Sequence, residues 1–164
     1  MSHYLPPFFW RQIEHMSTSH LPSLHAVSTG TLISLSKVED ALFSYRVLGD
    51  GYCILAKGSQ VVAPCDGTIT MTFPTKHCFA LQTKEQETIW ITLGIDTIQL
   101  EGKPFTSHVH VGQTVKTGDL LCEMNLSLLD EYHLAPYVIV TIPDCMQLPF
   151  SIAEQEVQQS QPLT

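Results

Sequence analysis

Apolar residues along this chain come in short runs broken by turn residues, the spacing expected of a protein built from strands. Residues 30–35, 52–56, 60–64, 68–71, 78–82, 88–93, 120–124 and 137–142 each carry such a run. The runs at 78–82 and 88–93 flank a polar turn, Lys84-Glu85-Gln86-Glu87, and predict a hairpin. Gly49-Asp50-Gly51 and Cys65-Asp66-Gly67 mark turns of the kind glycine fills easily. Residues 37–43 predict a loop or a single helical turn, and residues 127–133 a short helix. Strands this short, with turns this frequent, predict an all-β fold: an antiparallel β-sandwich or barrel-sandwich hybrid with short helical turns.

The two ends depart from this pattern. Residues 1–26 read as a leader, with the apolar cluster Tyr4-Leu5-Pro6-Pro7-Phe8-Phe9-Trp10. Pro6 and Pro7 stand where a helix can start, and Phe9, Ile13 and Met16 follow at helical spacing, so a short helix is one expectation. A membrane-surface anchor would need a basic face that the segment lacks. Residues 27–150 form the predicted β domain. Residues 151–164 read as a Gln- and Ser-rich polar tail, with too few apolar positions for a core strand and disorder as one outcome.

A length of 164 residues favours one domain with one core. The 44% hydrophobic and 15% charged content is that of a folded chain. A net charge of −8 argues against nucleic acid as a partner and favours basic protein surfaces. Cys53, Cys65, Cys78, Cys122 and Cys145 are odd in number and contain no Cys-x-x-Cys pair, so the expectation is free, buried thiols in a reducing compartment. No run reaches the length of a membrane-spanning helix, and no basic region leads into an apolar stretch with a cleavage site. The expected location is cytoplasmic.

Five segments carry a more specific signal. They are Gly49-Asp50-Gly51, Val62-Ala63-Pro64-Cys65-Asp66-Gly67-Thr68-Ile69, Phe73-Pro74-Thr75-Lys76-His77-Cys78-Phe79, Leu93-Gly94-Ile95-Asp96-Thr97, and Gly112-Gln113-x-Val115-Lys116-x-Gly118-Asp119. In order and spacing the series resembles the glucose-specific enzyme IIA family of the bacterial sugar phosphotransferase system, from about residue 27 to residue 144. The resemblance implies a β-sandwich with a shallow depression on one face and two facing histidines in it. One accepts a phosphoryl group from HPr and passes it to a IIB domain; the other assists. By motif the assisting histidine is His77, Thr75 and Asp96 match the family's threonine and aspartate, and the acceptor position holds Thr92. The resemblance also implies an apolar ring for partner docking, at Ala41, Leu42, Phe43, Val47, Leu48, Phe73, Trp90 and Ile98. Asp40 and Asp96 remain to face a basic partner, while Tyr45 and Gln99 stand where glutamates are usual. The family's last strand looks eroded from Ala153 onward.

A neutral imidazole is a good nucleophile near pH 7 and forms a phosphoramidate that hands its phosphate onward. A threonine hydroxyl without an adjacent base is a poor nucleophile, and its phosphate ester is too stable for a relay. Three readings follow: a phosphocarrier that uses His77, a non-phosphorylatable enzyme IIA-like protein that binds and regulates a partner around His77, or a stand-alone structural module paired with a larger transporter. His108 and His110 could share one face of a strand, but no third metal ligand stands nearby, so a solvated pair is expected and no metal or cofactor is assigned. His15, His20 and His25 carry no motif.

Overall fold

The computed structural model describes residues 21–163; the apolar cluster and predicted helix of the leader lie outside them. Among the described residues, eleven strands assemble into two antiparallel sheets. In chain order they are β1 (Gly30–Ile33), β2 (Asp50–Ala56), β3 (Gln60–Val62), β4 (Gly67–Thr72), β5 (Cys78–Gln82), β6 (Thr88–Leu93), β7 (Phe105–Ser107), β8 (Thr114–Val115), β9 (Leu120–Met124), β10 (Tyr137–Ile142) and β11 (Gln155–Val157). The large sheet runs β11-β1-β2-β10-β6-β5-β4-β8, and the small one β3-β9-β7. Two short helices, α1 (Ala41–Ser44) and α2 (Leu126–Glu131), are capped at their starts by the side chains of Asp40 and Asn125. Two single 3₁₀ turns lie at Leu35–Lys37 and Thr97–Leu100.

The predicted strands and hairpin are present, and the registers explain their composition. β6 alternates strictly: Ile89, Ile91 and Leu93 are buried, while Thr88, Trp90 and Thr92 are half-buried on the opposite face. The buried set joins Tyr52, Ile54, Phe79, Leu81, Val138 and Val140 in the main core, which the small sheet closes with Val61, Phe105 and Leu121. β10 is buried on both faces, as its near-continuous apolar run requires. Its outward Ile139 sits under a second cluster made by Ile33, Leu35, Val38, Phe43 and Cys53. That cluster covers one end of the large sheet's outer face and leaves the neighbouring part open. All five cysteines are free and buried, and burial pushes the Cys65 and Cys122 thiols up to about 12.

Both ends of the described chain differ from the sequence reading. The tail supplies β11, which extends the large sheet by pairing with β1 from Gly30↔Val157 to Leu32↔Gln155. Its one inward residue, Val157, is buried, so a single apolar position anchors a strand whose other side chains are polar. Within the leader, Leu24 and Ala26 are fully buried in the main core, and Ala26 N donates to Gln161 O at 2.8 Å. The last part of the leader and the tail therefore hold each other against the domain.

Candidate functional site

The open part of the outer face is a depression of about 350 Å³ lined by Val47, Leu48, Cys78, Trp90, Thr92, Thr141 and Pro143. Strand register builds its floor. Thr92 is opposite Cys78 on β5 and Ile139 on β10, and Trp90 is opposite Ala80 and Thr141. Directly opposed residues share a face of the sheet, so these side chains emerge together. The wall comes from the loop after α1. That loop needs glycine at its end: Gly49 has φ 94, and a Cβ there would lie 2.0 Å from Ile142 O.

Thr92 has one side-chain hydrogen-bond partner among the described residues. Its Oγ1 lies 3.6 Å from Cys78 Sγ. Burial pushes the Cys78 thiol above the ordinary thiol range, against the smaller opposing effect of the Thr92 hydroxyl. The thiol therefore stays protonated near neutral pH and offers Thr92 no general base.

His77 sits in the turn that leads into β5, where its carbonyl accepts from Leu93 N at 2.7 Å, one residue along from the Cys78–Thr92 pair. Thr75 Oγ1 lies 2.5 Å from His77 Nδ1. The Phe73 ring packs obliquely on the imidazole, with centroids 5.1 Å apart. Burial holds His77 below the ordinary histidine range, so the ring is neutral at pH 7. Thr75, His77 and Phe73 thus form one unit. Asp96 is exposed in the left-handed region at φ 61, and its carboxylate makes no capping bond to the 3₁₀ turn that follows. That turn is set by Gly94, where a Cβ would meet Thr97 Cγ2 at 2.3 Å.

The predicted apolar ring divides. Ala41, Leu42, Val47, Leu48, Phe73 and Ile98 are exposed, with Leu42 at 52% and Val47 at 65%, and Trp90 is half-buried. Phe43 is a correction: only 8% exposed, it points from α1 into the second core cluster and is unavailable to a partner. The period of α1 turns it away from Leu42. Asp40, expected as a charge for a basic partner, is engaged as the α1 cap, accepting from Leu42 N at 2.9 Å.

Sequence reasoning missed Cys78, Thr141 and Pro143 in the lining. The hairpin register 78↔92 could have identified Cys78; Thr141 on β10 and Pro143 just beyond it are distant in sequence and carried no signal. Met71 was missed as well. It is exposed and stands opposite Ala80, in the same cross-strand row as Trp90, so it extends the apolar surface. His108, read as half of a solvated pair, instead contacts Glu123, with Nε2 2.7 Å from Oε2. Among the described residues no group of three histidine, cysteine or acidic side chains is placed to hold a metal.

Residues 22–147 match the family described as phosphoenolpyruvate-dependent sugar phosphotransferase system, EIIA 1. The chain is 35% identical over 136 residues to the PTS system glucose-specific EIIA component of Borreliella burgdorferi, covering 81% of this chain and 72% of that protein. It is 37% identical over 107 residues to the component of the same name from Haemophilus influenzae, covering 65% and 64%. A glucose-specific EIICBA component of Streptococcus pneumoniae is 38% identical over 106 residues, but the matched part is 15% of that longer protein. Among solved structures, glucose permease IIA from Mycoplasma capricolum superposes with a TM-score of 0.78 at 34% identity, covering 86% of this chain and 92% of the other.

Proposed function

The chain belongs to the EIIA type-1 family of the phosphoenolpyruvate-dependent sugar phosphotransferase system, and from that premise we propose that it is a glucose-type EIIA component that keeps the docking depression but not the ordinary phosphate relay. The observation that carries this reading is Thr92. It occupies the position directly before Leu93-Gly94-Ile95-Asp96-Thr97, where the family resemblance puts the acceptor imidazole. Among the described residues, its hydroxyl has a protonated thiol as its one side-chain hydrogen-bond partner. A phosphoryl group presented at this depression meets no nitrogen nucleophile at residue 92 and no base hydrogen-bonded to its hydroxyl. The apolar rim of Leu42, Val47, Leu48, Phe73 and Ile98 remains exposed around it, which supports protein docking: HPr and a IIB domain by family, or a regulated partner. A cytoplasmic location belongs to the same proposal.

A second reading is favoured by the Thr75–His77 contact. In the tautomer whose Nδ1–H donates to Thr75 Oγ1, Nε2 of a neutral His77 keeps its lone pair and is a potential nucleophile. His77 would then accept the phosphoryl group in place of residue 92. Intact-mass measurement after incubation with phosphoenolpyruvate, enzyme I and HPr separates the two. No adduct, with the same components active on an ordinary EIIA, is the outcome expected of the first reading. An acid-labile adduct lost in His77→Ala establishes the second. An acid-stable adduct lost in Thr92→Val contradicts both.

A further inference from the structure

A second cavity, of about 490 Å³, shares no lining residue with the depression. It lies between the loop that enters β2 and residues 146–152, and is lined in part by Ser34, Arg46, Asp50, Gln147, Phe150 and Ile152. We propose that it binds a small monocarboxylate with an apolar body. This reading is independent of residue 92 and of phosphate relay.

Asp50 is buried and fully engaged: Oδ1 accepts from Arg46 Nε at 2.8 Å and Oδ2 from Leu148 N at 2.7 Å. Arg46 commits only Nε. Its two terminal amino groups have no partner among the described residues, and together they form the planar fork that matches a carboxylate. Ser34 and Gln147 add polar groups to the same wall, while Phe150 and Ile152 supply apolar surface for the rest of a ligand. Charge selects among anions. The Arg46–Asp50 pair is already neutral, and the chain carries −8, so each further negative charge is opposed by the field of the whole protein. A single charge held by a fork and backed by apolar contact fits these terms better than a phosphate dianion. The apolar wall disfavours a bare inorganic anion.

The test is an amide chemical-shift titration of the full chain with benzoate, beside benzyl alcohol as its neutral counterpart and phenyl phosphate as its dianionic one. Benzoate is expected to give saturable shifts at Gly51, Leu148 and Ser151, with millimolar affinity, and the other two to bind more weakly. Arg46→Lys keeps a positive charge beside Asp50 and loses the fork, so benzoate affinity should fall about tenfold. Ser151→Leu fills the cavity from an exposed position without touching the ion pair and should abolish the shifts even if Arg46→Lys proves unstable. The absence of a saturable benzoate response overturns the proposal. So does an equal response to benzyl alcohol, which would mark only an apolar dent, or tighter phenyl phosphate, which would mark a dianion site. Shifts unchanged in Ser151→Leu would place the ligand elsewhere and overturn it equally.

Discussion

Thr75 Oγ1 lies 2.5 Å from Nδ1 of His77, so among the described residues only Nε2 of that imidazole has no side-chain partner. The contact fixes the ring while burial disfavours its charged form. His77 should therefore titrate by NMR with a midpoint below the ordinary value of about 6.5. The sign for stability follows. The unfolded chain takes up this proton more readily than the folded one, so the contribution is full above the unfolded value and is lost as pH falls through the folded value. His77→Gln should flatten that part of the acid-side stability curve. A midpoint at or above the ordinary value would contradict the account of the site.

Thr92→His places an imidazole on the floor of the depression, beside the exposed apolar side chains proposed for docking. Phosphate acceptance from phospho-HPr should rise by roughly 10²-fold or more, since a positioned nitrogen nucleophile replaces an unactivated hydroxyl. The readout is the rate of acid-labile adduct formation by mass spectrometry. If Thr92→His folds and gains nothing, HPr docking has been lost along with the acceptor, and the rim serves some other partner.

Residues whose neighbours are local in sequence were legible; residues placed by distant register were not. The hairpin from residue 78 to residue 93 could be read directly, because its alternation and polar turn fix both faces and put Trp90 with Thr92. Phe43 was placed in the ring by the family resemblance, together with Leu42 and Val47, which are exposed. Nothing local reveals the second cluster over Ile139 that takes it in. β11 escaped for a related reason. An edge strand with polar outward side chains has almost no hydrophobic signal, and its pairing with β1 spans most of the chain.

The division of the apolar ring can be measured by comparing neighbours. Phe43→Ala removes a buried aromatic from the second cluster and should cost about 3–5 kcal/mol of stability in a denaturant titration. Leu42→Ala, one residue earlier and exposed, should change stability by no more than about 0.5 kcal/mol. Partner binding is expected to draw on the outward side chains instead, half-buried Trp90 among them. Trp90→Ala should weaken binding by about 2 kcal/mol with the fold intact, because the core side of β6 is held by Ile89, Ile91 and Leu93. Unfolding of Trp90→Ala would reassign that side chain to the core.

The C-terminal strand gives the last prediction, and it rests on how little holds that edge. Val157 is 2% exposed in the main core, and Leu163 packs against the same cluster. Around them the backbone is tied to the entering chain: Ser160 N donates to Ala26 O at 2.8 Å and Leu163 N to Leu24 O at 2.9 Å. The flanking ion pair of Lys57 and Glu156 is exposed on both sides, where solvent screens it. Stability at this edge therefore depends on Val157, on Leu163 and on a set of backbone bonds more than on exposed charge. Val157→Asp puts a carboxylate into the core without a partner and should cost about 3 kcal/mol or more, with loss of amide protection at Gly30 and Leu32. Glu156→Gln should leave the thermal unfolding midpoint essentially unchanged. If Val157→Asp is as stable as the parent chain in thermal unfolding, the polar segment contributes nothing to the domain.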